Sequence, residues 1–258
     1  MSNLHKFAAA TDCGLVRQDN QDAYRISSDP DSGVVCLVVA DGVGGHKHGE
    51  LASGMVADYF MERVGMILDT EDYPTEEEWL YFLRDTMEKA NTKVWIRSKT
   101  DPDLEGMCTT MTTGLIVDNR LIIGHIGDCR VFLERENRLF QLTQDHTYAH
   151  ELLREGVISQ DEISEHAGRH QLTRALGVPE YMNIDLITED LYDGDRLLFC
   201  TDGLYGYTSA QELHSILTSS RNPEAIARRM IEAANLNGGW DNVTAIVGLL
   251  NFKEDSGR

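Results

Sequence analysis

Residues 33–46 read GVVCLVVADGVGGH, and the two halves of this stretch make different demands. The first eight residues, GVVCLVVA, are apolar and rich in valine. A run this short, without helical spacing, is a strand with both faces buried. Asp41 then ends it, followed by glycines that permit backbone conformations and close approaches closed to other residues. A carboxylate at the end of a buried strand is costly unless it is paired, hydrogen-bonded or held by a cation.

Three more aspartates repeat the arrangement. Asp128 ends LIIGHIG, Asp202 ends RLLFCT and precedes Gly203, and Asp241 precedes NVTAIVGLL. Any one of them alone reads as a turn or cap residue. Four of them, with few basic residues nearby, make a cluster of like charge if their strand ends converge, and cations must then offset it. All-oxygen donors select Mg²⁺ or Mn²⁺ over Zn²⁺. The chain has no H-E-x-x-H and no paired cysteines of the kind that hold zinc.

Working outward, β-branched runs predict further strands over 112–117, 121–126, 130–134, 138–142, 184–187, 196–200 and 243–250. Their short connections favour antiparallel pairing. Helical spacing predicts a helix over 50–68, with Ala52, Val56, Tyr59, Phe60 and Ile67 on one face and Arg63 interrupting it. A second, over 76–97, carries Trp79, Phe82, Leu83, Ala90 and Val94. Thr75-Glu76-Glu77-Glu78 places negative charge at the start of that helix, where it complements the dipole. Thr208 or Ser209 opens a third helix as a capping box, and Asn222-Pro223 opens a fourth. Strands buried on both faces, with helices in pairs, give an α+β architecture of packed sheets covered by helices. Spacing alone goes no further.

The chain has 258 residues and a net charge of −20, which argues against a general nucleic-acid binder or a protein held on anionic membranes. No apolar run approaches the ~20 residues of a membrane span, and the N-terminus lacks a signal-peptide core, so a cytoplasmic setting is expected. The five cysteines are odd in number and scattered, which reads as reduced thiols. With no repeat and no linker, a single domain over 1–258 is expected.

At this point whole blocks of sequence resemble the metal-dependent Ser/Thr protein phosphatases of type 2C in their compact bacterial form. The blocks are TDCGLVRQDNQDA (11–23), VADGVGGH (39–46), CTT (108–110), HIGDCR (125–130), LTQDH (142–146), CTDGL (200–204) and DNVT (241–244). Seven blocks in the family's order, spanning nearly the whole chain, are specific. The resemblance implies a four-layer α-β-β-α sandwich of two antiparallel sheets flanked by helix pairs, with two Mn²⁺ or Mg²⁺ ions at one end. Asp41 would bridge both ions, the Gly42 carbonyl would bind one, and Asp202 and Asp241 the other. Asp128 together with Asp202 would hold a third, weaker ion. Asp22 would stand behind the ligands and hold water on the metal. Arg17 would grip the substrate phosphate, His46 would be the general acid, and residues 145–177 would form the family's variable flap. Phosphorylated protein substrates, a Ser/Thr kinase or its targets, would be the partners of a monomer.

The chain departs from the family pattern at Val43 for a common Met, Cys129 for a common Ser and Trp240 for a common Arg; Gln21 stands where eukaryotic members often have Glu and bacterial members Gln or Glu. None of these removes a metal ligand. His125 and His146 read as residues that structure the strand and the flap. Arg17 has a rival reading as a surface ion pair with Asp19 or Asp22, and His46 one as a loop histidine on backbone. Two other functions stay open: a metal-dependent hydrolase of a small phosphate ester, and a catalytically silent sensing module.

Overall fold

The computed structural model describes residues 5–29, 31–43, 48–69, 74–179 and 182–252. Along the chain these form β1 (Lys6–Asp12), β2 (Asp22–Ser28), β3 (Val35–Asp41), α1 (Gly49–Leu68), α2 (Glu76–Thr100), β4 (Met111–Val117), β5 (Arg120–Ile126), β6 (Arg130–Arg135) and β7 (Arg138–Gln141). They continue with α3 (Tyr148–Arg154), β8 (Asp185–Asp190), β9 (Arg196–Cys200), α4 (Asp202–Tyr205), α5 (Ala210–Thr218), α6 (Pro223–Leu236) and β10 (Val243–Leu249). Among the described residues the strands make two five-stranded sheets, ordered β1-β10-β9-β6-β7 and β2-β3-β4-β5-β8, and every pairing is antiparallel. The α+β sandwich expected from the sequence is the architecture observed.

The apolar run of β3 explains the layering. Val35, Leu37 and Val39 pack between the sheets against Val131, Leu197, Phe199 and Ile246. Cys36, Val38 and Ala40, which point the other way, pack under α1 and α2 with Phe60, Trp79 and Leu83. A third cluster joins the outer face of β9 and β10 to α5 and α6 through Leu213, Ile226 and Met230. A strand with apolar neighbours on both faces needs no polar residue until it leaves the core, which it does at Asp41.

The helix faces follow the predicted spacing, with one reinterpretation. Arg63 does not interrupt the packing of α1. Its guanidinium reaches Asp85 of α2 at 3.1 Å and lies over the Phe82 ring, tying the two helices together. The acidic start of α2 does more than complement the dipole. Thr75 Oγ1 accepts from the Glu78 N–H while the Glu78 carboxylate accepts from the Thr75 N–H, a reciprocal capping box. At α5 the cap is Ser209, whose Oγ accepts from the Glu212 N–H, without the return bond. Asn222 caps α6 ahead of Pro223. All five cysteines are free. No helix among the described residues is long and apolar enough to cross a membrane.

A candidate metal-dependent phosphatase site at one end of the sandwich

The inward series Val35, Leu37, Val39 continues by alternation to Asp41, so that carboxylate emerges at the end of the gap between the sheets. Asp22 is its register partner on β2. Opposite them, in the other sheet, β9 runs out through Thr201 to Asp202, and β10 begins just after Asp241 and Asn242. Asp128 stands two residues before β6. The strand ends do converge: Arg17, Asp41, Gly42, Asp128, Asp202 and Asp241 all line one cleft of about 310 Å³.

Backbone and hydroxyl groups hold these residues in place. The Asp41 N–H donates to Thr110 Oγ1 at 2.9 Å, and the Asp41 carbonyl accepts from the Thr110 N–H and from Thr109 Oγ1, both at 2.8 Å. Gly42 packs so tightly on the first residue of α1 that a Cβ would lie 2.4 Å from the Gly49 backbone. A Cβ on Gly203 would lie 1.9 Å from the Asn242 carbonyl, so the start of α4, which carries Asp202, and the segment carrying Asp241 are in direct backbone contact. Asn242 is buried and ties the Arg17 loop to β10. Its Nδ2 donates to the Cys13 and Asp19 carbonyls at 3.0 and 2.9 Å, and its Oδ1 accepts from the Gln21 N–H at 2.8 Å.

Like charges crowd this end of the sandwich. Burial pushes the Asp41 carboxyl well above the usual range, and the charges of Asp22, Asp202, Asp128 and Asp241 add to the rise. Asp128 is raised for the same first reason, with Asp202 and Asp145 adding to it. Burial likewise pushes Asp22 up to about 7, although the Thr244 and Thr201 hydroxyls donate to its Oδ2 at 2.7 and 2.9 Å. Asp22 Oδ1 is buried with no hydrogen-bond partner. A buried lone acceptor beside a carboxylate cluster lacks a donor that water or a cation shell can supply.

Among the described residues, no three His, Cys, Asp or Glu side chains are gathered closely enough to hold an ion as they stand. Asp241 Oδ2 accepts from Arg17 Nη2 at 2.8 Å. The partner of Arg17 is therefore neither Asp19 nor Asp22. Its bond to Asp241 holds the guanidinium charge firmly. His46, with Gly44 and Gly45, lies outside the described residues.

His125 and His146 stand at the base of the flap rather than in the cleft. His125 bridges the Thr112 hydroxyl and the Gln144 carbonyl at 2.8 and 3.0 Å, and burial lowers its pKa to about 4. His146 bonds Asp185 at 3.1 Å. The flap carries α3 and a 3₁₀ helix over Gln160–Glu165, and its two ends are held by bridges of Thr147 to Leu172 and of Leu176 to Thr109. Three contributors escaped the sequence reading. His170 lines the cleft with its Nδ1 3.6 Å from Asp202 Oδ2, and Thr201 and Thr244 form the floor under Asp22. The threonines sat inside the motif blocks CTDGL and DNVT; a flap histidine carries no local signal.

A double antiparallel sandwich, with hard-oxygen donors gathered at the end of the gap between its sheets, defines a class of metal-dependent hydrolase. The family model described as Protein phosphatase 2C matches residues 15–238. "Serine/threonine phosphatase stp" of Listeria monocytogenes is 34% identical over 241 residues, covering 92% of this chain and 92% of that protein. The crystal structure of serine/threonine phosphatase Stp1 from Staphylococcus aureus superposes with a TM-score of 0.89 at 27% identity, covering 98% of this chain and 97% of that one. The catalytic domain of the serine threonine protein phosphatase PstP, crystallised in complex with 2 manganese ions, gives 0.81 at 33% identity, covering 97% of this chain and 100% of that one. The chain belongs to the protein phosphatase 2C family.

Proposed function

We propose that this chain is a single-domain, metal-dependent protein-serine/threonine phosphatase over residues 1–258, with 145–177 as its flap. The observation that carries the reading is the convergence of Asp41, Asp128, Asp202 and Asp241, from four separate strand ends, on one cleft beside Arg17. The donor set fits two Mn²⁺ or Mg²⁺ ions: hard oxygens throughout, a charge excess needing cations, and the partnerless Asp22 Oδ1. Asp41, the Gly42 carbonyl, Asp202 and Asp241 would hold them, with Asp128 and Asp202 offering a third, weaker position. Such a pair of ions supplies a hydroxide-like nucleophile at neutral pH and offsets charge on the phosphoryl oxygens.

The protein's own residues do the rest. Arg17 orients the phosphate through a planar fork of donors and stabilises it in both the ground state and the transition state. Its bond to Asp241 would give way if that carboxylate held a cation. Asp22 accepts from water at the back of the site through its free oxygen. His46 gives the leaving oxygen its proton, a role suited to a group that titrates near neutrality.

Phosphorylated proteins are the substrates, and a Ser/Thr kinase is the opposing activity. The free thiols suit a cytoplasmic setting, where the protein acts as a monomer. A silent sensing module is disfavoured because every proposed ligand is present. The small-ester reading is tested by phosphate release under Mn²⁺ from a phosphothreonine peptide and from nucleoside monophosphates. The peptide is expected to be turned over at least tenfold faster in kcat/KM. Preference for the nucleotides would reject the protein-phosphatase reading.

A further inference from the structure

The cleft has a rim that this chemistry does not use. Leu15, Val16 and Trp240 are large apolar side chains that are 70%, 54% and 57% exposed. They stand on two loops locked to one another. The Leu15 and Val16 N–H groups both donate to the Gly239 carbonyl, at 2.7 and 3.2 Å, and the Leu15 side chain lies against Gly239. The Trp240 indole folds over Gly238. Val16 is followed directly by Arg17 and Trp240 by Asp241; those two line the cleft and bond at 2.8 Å.

One exposed leucine needs no explanation, but three large exposed apolar side chains on two bonded loops beside a polar cleft do. The patch is also pre-organised. Asn242 anchors the Arg17 loop through the Cys13 and Asp19 carbonyls, so little conformational freedom is lost when something covers it. Trp240 offers a large contact area with few torsions to freeze.

We propose that Leu15, Val16 and Trp240 form a docking surface for a phosphorylated peptide segment with an apolar residue beside its phosphorylated Ser or Thr. The proposal rests on the phosphoprotein reading above. A phosphate seated beside Arg17 brings the flanking residues of its chain near these loops, because Val16 directly precedes Arg17 and Trp240 directly precedes Asp241, both of which line the cleft. An apolar flank loses water-exposed area there, whereas an acidic flank gains nothing and faces a chain of net charge −20.

The test uses the full Mn²⁺-loaded chain, p-nitrophenyl phosphate, and three phosphothreonine peptides that differ only in carrying Leu, Ala or Glu at the two positions on either side. The Leu peptide is expected to exceed the Glu peptide about tenfold in kcat/KM, which corresponds to about 1.4 kcal/mol. In a Leu15→Ser/Trp240→Ser variant that difference should vanish, with p-nitrophenyl phosphate turnover within twofold of wild type. Independently of turnover, a non-hydrolysable phosphonate analogue of the Leu peptide should shift the emission of the exposed Trp240 to the blue. Equal kcat/KM across the three peptides, or a preference that survives in the variant, would overturn the proposal. So would an emission shift that follows protein concentration and ignores the peptide, since the patch would then join two copies of the chain. Turnover of p-nitrophenyl phosphate with none of any phosphopeptide would instead reject the phosphoprotein reading, and the docking surface with it.

Discussion

Neutralising Asp22 should stabilise the metal-free protein, by an amount that depends on pH. Burial raises this carboxyl from its ordinary 3.8 to about 7. Between those values the folded state holds a proton that the unfolded chain has released, so stability falls as pH rises through the window and levels off above 7. At about 1.4 kcal/mol for each tenfold change in proton binding, the rise corresponds to about 4 kcal/mol. His125, lowered to about 4 by burial, acts in the opposite sense: it must charge on unfolding, so its contribution rises with pH between about 4 and 6.5. It is common to both proteins and cancels in their difference. The stability of Asp22→Asn relative to wild type, from urea unfolding in chelator, should therefore grow by about 4 kcal/mol from pH 4 to pH 8. Asp41 is relieved at the same time, because the Asp22 charge is among the causes of its own rise. In saturating Mn²⁺ the advantage should disappear or reverse. A difference between the two proteins that stays level across this pH range in chelator would refute the reasoning.

Arg17→Ala should raise KM and lower kcat/KM while leaving Mn²⁺ affinity nearly unchanged, as steady-state kinetics and a metal titration would reveal. His46→Ala should lower kcat about 10²–10⁴-fold on a phosphothreonine peptide, and much less on p-nitrophenyl phosphate, whose phenolate leaves without a proton. Equal losses on both substrates would make His46 a structural loop residue. Asp145→Ala should cost about 3–5 kcal/mol in urea unfolding, because it strips both bonds, at 2.9 and 2.8 Å, from the Arg130 guanidinium stacked over Tyr205.

Much of the fold could be read because β3 and its neighbours are apolar on both faces, which leaves few alternatives to a covered double sheet. The two strands that went unread, β1 and β2, each stand at one edge of a sheet. Their sequences, KFAAATD and DAYRISS, are largely small or polar, so no apolar run marks them. Arg63 looked like a flaw in an apolar stripe because its partner, Asp85, lies on a different helix. The aspartates were visible as chemistry before their convergence was, since each ends an apolar strand or stands beside one. Residues from the flap, such as His170, reach the cleft only through tertiary placement that no local period encodes.

The central claim is that the carboxylates at the end of the sandwich are metal ligands, and a calorimetric titration of metal-free protein with Mn²⁺ tests it most directly. Wild type should bind two ions tightly. Asp41→Asn should bind at most one, with affinity reduced at least tenfold, while its circular dichroism stays that of the wild type. Two tight sites of unchanged affinity in Asp41→Asn would contradict the account.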